Sequence, residues 1–287
     1  MPDHKNGKWA QQILAQQRAD GSWGQFHSMS KTNGYAMTTE QALTRLQRLG
    51  FSFQDDCIRR AVQYMERCLR GVDAIPDPRE KLHDWDIFTS LMLAARIRLF
   101  TQECDAANAV AQQWASIVSA AFVEGSYNHE RYLAAYRSTF GQAPPKKAGR
   151  LVDFVHFYPI ALLTGCLEPA IESAMLRHIL QHPGGLYYIY EKPLTQLPES
   201  FQSLQASRWL AAIELLARYP AAKEQLGFVR EWLLENRCTD GSWDMGAAAK
   251  DGVHFPCADS WRRPETRRAD CTCRIRRILD ALEQRGE

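Results

Sequence analysis

A chain of 287 residues, 45% of them apolar, has enough material for one large domain or two small ones. Its 35 basic and 33 acidic residues leave a formal charge of +2 and no long run of one sign, which argues against a charged tail or a nucleic-acid partner. The N-terminal stretch has no apolar segment of signal-peptide length and nowhere do eighteen uncharged apolar residues run together, so a soluble, cytoplasmic protein without a transmembrane segment is expected, its eight cysteines being thiols.

In chain order, an outer-type helix is predicted to begin near Lys8 and an inner-type helix near Thr38. Residues 56–70 show what "outer" means: Ile58, Ala61, Val62, Met65, Cys68 and Leu69 share one face, with arginines and Glu66 opposite. The stretch from Asp86, "DIFTSLMLAARIRLF", is apolar on nearly every side, as expected of a helix covered by others. Further outer helices are predicted from near Asp105, Leu167 and Ala221, and inner ones from near Val152, Gln202 and Ala269. Long loops separate some of them, over 125–149 and 245–269, and "GLYYIYE" from Gly185 is the one stretch expected to be extended. Five helical hairpins with a period of roughly 50 to 60 residues predict a single all-α domain, 1–287, built as a solenoid or a closed two-layer ring.

The hairpins share punctuation. A glycine followed two residues later by an aromatic stands after four outer helices, at Gly21 and Trp23, Gly125 and Tyr127, Gly185 and Tyr187, and Gly241 and Trp243. Glutamine stands four residues before the glycine at Gln17 and Gln181, whereas Ala121 and Arg237 hold that position in the other two. Two copies read Asp-Gly-Ser-Trp, a turn dipeptide in which glycine takes positive φ without a Cβ clash.

The patterns Q-x3-G-x-W at Gln17, Gly21 and Trp23, and W-L-x3-R-x3-G-x-W from Trp232 to Trp243, resemble the "QW" repeat of the squalene and hopene cyclases, with Arg237 in place of the glutamine. The related protein prenyltransferases share that helical ring. The resemblance implies an α/α toroid, two concentric layers of about five hairpins, in which inner helices surround a cavity for a small apolar or isoprenoid ligand. It implies that glutamine hydrogen bonds and aromatic packing tie each outer helix to the next repeat. Asp84-Trp85-Asp86 resembles the start of the D-x-D-D acid motif of class II terpenoid cyclases, with Ile87 where the final Asp belongs. On that reading Asp86, helped by Asp84 or His83, protonates an alkene while Trp85 lines the cavity; the other reading is that Asp86 caps the inner helix.

Other residues carry chemistry with a structural alternative beside it. Asp153 and His156, three apart, could form an acid/base pair with Phe157 and Tyr158 as cavity wall, or a capped helix start whose aromatics pack in the core. His254, Cys257, Asp270, Cys271 and Cys273 have partial zinc-ligand spacing, but Cys271 and Cys273 can converge only if their helix starts after them; structural thiols without a cofactor are the alternative. Trp261, Arg262 and Arg263, in an arginine cluster, suit a diphosphate-bearing isoprenoid or form a solvated loop. No P-loop, dinucleotide fingerprint or Gly-x-Ser-x-Gly motif occurs.

Overall fold

A computed structural model describes residues 4–30, 34, 37–80, 84–145 and 153–283. Twelve α-helices and no strand occur among them: α1 (Lys8–Leu14), α2 (Thr39–Arg48), α3 (Asp56–Leu69), α4 (Trp85–Arg98), α5 (Asp105–Ala121), α6 (His129–Phe140), α7 (Phe157–Leu162), α8 (Pro169–Gln181), α9 (Leu204–Leu216), α10 (Ala222–Gln225), α11 (Gly227–Glu235) and α12 (Pro264–Glu283). The protein is therefore all-α, and no described helix is long and apolar enough to cross a membrane.

Local chemistry sets five of the twelve starts. Thr38 forms a capping box with Gln41, and Asp84, Asn128 and Ser203 each accept a backbone N–H of the turn that follows. Pro169 occupies the first turn of α8, where its missing N–H costs no hydrogen bond. The amphipathic α3 buries Cys57, Ile58, Ala61, Val62, Tyr64 and Met65, whereas α4 buries residues on every side because α3, α5 and α7 all pack against it.

Several expectations need correction. The segment 125–149 is not one long loop: Asn128 caps a three-turn helix, α6, which packs on α5. The outer helix near Ala221 is broken into α10 and α11 at Leu226, whose φ of −102° and ψ of 21° interrupt the hydrogen-bond ladder. The last helix starts at Pro264, five residues earlier than its apolar pattern suggested, because its first turn is solvent-exposed and carries no apolar signal. "GLYYIYE" is a tight turn with isolated bridges, His156 to Tyr187 and Leu186 to Tyr190, and Tyr188 sits there at a φ of 73°.

The two Asp-Gly-Ser-Trp copies are the same joint built twice. Ser22 N donates to Asp20 Oδ1 and Ser242 N to Asp240 Oδ1, both at 2.9 Å. Each indole N–H donates to the preceding helix, Trp23 to Ile13 O at 2.7 Å and Trp243 to Leu233 O at 2.6 Å. Each tryptophan backbone N–H donates to a threonine of the following helix, Thr39 or Thr272, at 2.9 Å. Gln17 and Arg237 donate to the carbonyls of Gly21 and Gly241. The turn aromatic thus clamps one helix of a hairpin to the other, a role a bare turn could not fill.

Ion pairs with little solvent access join α2 to α4 and α9 to α2 and α12. Glu40 on α2, fully buried, accepts from Arg96 on α4 at 2.7 Å and from Tyr158 on α7 at 3.0 Å. Arg98 on α4 donates to Leu162 O of α7. Glu214 on α9 receives Arg48 of α2 and Arg274 of α12 at 2.8 and 3.0 Å. The first hairpin also meets the last: Lys8 N donates to Asp259, Trp9 Nε1 to Ala258 O, and Arg45 to Val253 O and Pro256 O.

Candidate functional site

The helix starts around α4 and α7 face one another, and an aromatic slot of about 40 Å³ lies between them. Asp84, Phe88 and Leu91 come from α4 and its cap, Trp114 from α5, Tyr132 and Tyr136 from α6, and Asp153 and His156 from the turn before α7. Residues that sequence reading placed in two separate candidate sites therefore share one wall. Trp114, Tyr132 and Tyr136 went unnoticed in the sequence, although Tyr132 and Tyr136 stand four apart on one helical face.

The carboxylates at the slot are held as acceptors. Asp84 caps α4, its Oδ1 receiving Ile87 N at 3.2 Å, and its Oδ2 receives the side-chain amide of Gln142. Asp153 Oδ1 receives Val155 N at 2.8 Å, and its Oδ2 lies 3.7 Å from His182 Nε2. Both oxygens of Asp84 are thus engaged by N–H donors, which fixes the carboxylate as the cap of α4 at the slot. Burial raises the phenols: Tyr136 is pushed up to about 12, and Tyr132, also beside Tyr127, is raised well above the ordinary phenol value. At pH 7 these rings are neutral walls.

Behind Asp153 lies a second group with no counterpart in the sequence reading. His178 in the last turn of α8 and His182, the extended residue that ends that helix, approach it, and the His178 ring lies 4.4 Å from that of Tyr127. Burial pushes His178 below its ordinary value against the pull of Asp153, and its Nε2 has no hydrogen-bond partner among the described residues.

Other candidates lie elsewhere. Asp86 is not the cap of α4; it sits one residue into the helix with its side chain 80% exposed and paired with Arg79 at 2.8 Å. That position lacks the desolvation that proton donation to an alkene requires. Trp85 is buried against Phe88, and His83 lies outside the described residues. Tyr158 is committed to Glu40, and the Phe157 ring carries the Arg96 guanidinium at 4.4 Å, so both belong to the ion-pair core.

Near the C-terminus, Trp261 Nε1 donates to Asp270 Oδ2 at 2.6 Å, and the same oxygen accepts the Cys257 and Ala258 N–H groups. His254 Nδ1 lies 2.7 Å from Asp251. Because α12 begins at Pro264, Cys271 and Cys273 point to different sides of a formed helix. Burial raises the thiols of Cys257 and Cys271 to about 11 and 12, and no group of three or more His, Cys, Asp or Glu among the described residues is arranged to hold a metal ion. Arg262 and Arg263 are exposed and border an open cleft of about 700 Å³ with His4 and Lys8.

No family model, curated protein or solved structure matches this chain. The functional reading rests on the slot and the repeated joint.

Proposed function

We propose that the chain is an α/α toroid of the squalene/hopene cyclase and prenyltransferase repeat type that binds the end of an isoprenoid or other apolar chain in the aromatic slot, without acid-initiated chemistry. The observation that carries this reading is the convergence of Phe88, Trp114, Tyr132 and Tyr136 with Asp84 and His156 around one small opening. Apolar walls with a few placed polar groups are the usual make-up of a small-molecule site. The ring geometry is supported by inner helices joined through Glu40 and Glu214 and by the contacts of the first hairpin with residues 251–259. At about 40 Å³ the slot holds little more than a water, whose share of liquid volume is about 30 Å³. Entry of a chain end therefore requires side chains of the wall to move.

Acid-initiated cyclisation is the second reading, favoured by the two carboxylates at the slot and opposed by their acceptor bonds and by the exposure of Asp86. Incubation of the purified protein with squalene, farnesyl diphosphate and geranylgeranyl diphosphate separates the two. Under the binding reading native mass spectrometry finds a retained ligand and gas chromatography finds no cyclic product. A cyclic product abolished by Asp84→Asn or Asp153→Asn would replace it with the second.

A further inference from the structure

Beside the slot stands a buried histidine that no hydrogen bond of its ring explains. His27 is 2% exposed, and both of its ring nitrogens are buried without a hydrogen-bond partner. Its Nδ1 lies 3.5 Å from Glu80 Oε1 without the alignment of a hydrogen bond. A buried polar atom left unpaired forfeits its hydration for nothing, so such a group asks for a reason. The backbone that carries it is fixed: Asp77 accepts Phe26 N, His27 N and Ser30 Oγ at 2.6, 2.8 and 2.6 Å.

The aromatics around His27 are shared with the slot. Phe88 and His156 line the slot, and Phe88 stands edge-on to His27 with ring centroids 5.7 Å apart. His156 meets Tyr158 and Tyr188, each at 6.2 Å, and those tyrosines lie 6.3 and 6.2 Å from His27. Tyr188 is held there under strain. Its φ of 73° is left-handed, in a turn so tight that a Cβ on Gly185 would stand 2.3 Å from Tyr190 O. Strain of this kind persists where the surroundings impose it and concentrates at ligand sites. The Phe88 ring thus borders both the slot and the His27 enclosure.

On the reading of the slot as the seat of an apolar chain end, on which this rests, we propose that the slot and the enclosure join when Phe88 turns. His27 Nε2 then accepts a hydrogen bond from the terminal hydroxyl of a bound isoprenoid alcohol. Glu80 sets the tautomer: in a neutral ring the nitrogen facing a carboxylate carries the proton, so Nδ1 is the donor and Nε2 the acceptor. An unpaired acceptor calls for a donor, which a hydroxyl supplies and a hydrocarbon or an ionised diphosphate does not. Charge points the same way. Glu80 and Glu40 both act on Tyr188, and the arginines beside them are engaged, Arg96 with Glu40 and Arg79 with Asp86. A diphosphate here would meet carboxylates without a countercharge of its own.

The test titrates farnesol, its methyl ether, farnesyl diphosphate and squalene into the full chain at pH 8, where an ordinary imidazole is neutral, and follows tryptophan fluorescence. Farnesol is expected to bind about tenfold tighter than the ether, which has no proton to donate, and tighter than the diphosphate. His27→Phe keeps a ring and removes the acceptor; with circular dichroism matching the parent protein, it should bind alcohol and ether equally. His27→Gln, whose carboxamide oxygen accepts, should restore the preference. Nitrogen NMR of isotope-labelled histidine in the parent protein gives a reading that needs no variant: an unprotonated Nε2 signal should shift with farnesol and not with the ether. Equal binding of alcohol and ether, tighter binding of the diphosphate, or no such shift overturns the proposal and leaves the slot reading standing. A preference for the alcohol that survives in His27→Phe overturns the assignment to His27. Binding of none of these ligands overturns the proposal and the slot reading together.

Discussion

Alanine at Gly21 and at Gly241 is chemically the same change in the same turn, yet the two substitutions are expected to differ in cost. Both glycines have left-handed φ, 99° and 81°, which penalises any side chain by roughly 1–2 kcal/mol. At Gly21 the added methyl also lies 2.4 Å from Arg60 O and 2.7 Å from its carbonyl carbon, backbone atoms of α3 that cannot swing away. Overpacking of that kind adds about 1–3 kcal/mol. At Gly241 the only close atom is an Arg237 guanidinium nitrogen at 2.8 Å, the far end of a flexible side chain, so the conformational term stands nearly alone. Gly21→Ala should therefore lose about 2–5 kcal/mol and Gly241→Ala about 1–2 kcal/mol, to be read from urea midpoints at constant slope. Equal losses, or a larger one at Gly241, would refute the argument, because they would mean that α3 does not cover the first joint or that something already covers the second.

Stability should fall on acidification below about pH 6.5. Burial, assisted by Arg274 and Arg48 and opposed by Asp251, lowers His254 to about 4. The unfolded imidazole takes its proton at about 6.5 and the folded one does not, so the loss develops between pH 6.5 and 4 and reaches roughly 2–3 kcal/mol. Glu214 extends the loss: burial would raise it, but Arg274 and Arg48 hold it at about 2, so its contribution disappears as pH falls from about 4 to 2. Denaturant titrations at pH 7 and pH 5 check the first step, and His254→Gln should flatten it; an unchanged pH slope in that variant would remove His254 from the account. Glu40→Gln leaves Arg96 buried without a charge partner and should cost about 3–5 kcal/mol by the same assay. Asp86→Asn breaks only an exposed ion pair and should stay within about 0.5 kcal/mol of the parent protein, with ligand retention unchanged.

Helix content was legible in the sequence wherever apolar periodicity and caps agreed. Thr38 adjoins an observed start because its capping box is local, and Lys8, Asp56 and Asp105 mark starts where the apolar periodicity begins without a side-chain cap. Helix α6 was missed because its inward face is made of Tyr132 and Tyr136, which read as polar or aromatic punctuation inside a stretch ending in Gly141 and the Pro144-Pro145 pair. The start of α12 was misjudged because an exposed first turn has no hydrophobic signature. At the site, a resemblance to the cyclase acid motif nominated Asp84 and Asp86 and residue spacing nominated Asp153 and His156, but neither could tell that a cap turns Asp84 toward the slot while the next turn position sends Asp86 to solvent. Nor could it bring Trp114 and the α6 tyrosines to the same opening, since their meeting depends on how α4, α5 and α6 pack.

The central claim is that an apolar chain end occupies the aromatic slot, and photocrosslinking tests it most directly. A diazirine-bearing farnesol analogue, irradiated with the full chain and mapped by peptide mass spectrometry, should label residues 84–91, Trp114 and residues 132–136, and excess farnesol should suppress that labelling. Labelling that avoids these segments, or that farnesol does not suppress, would contradict the account.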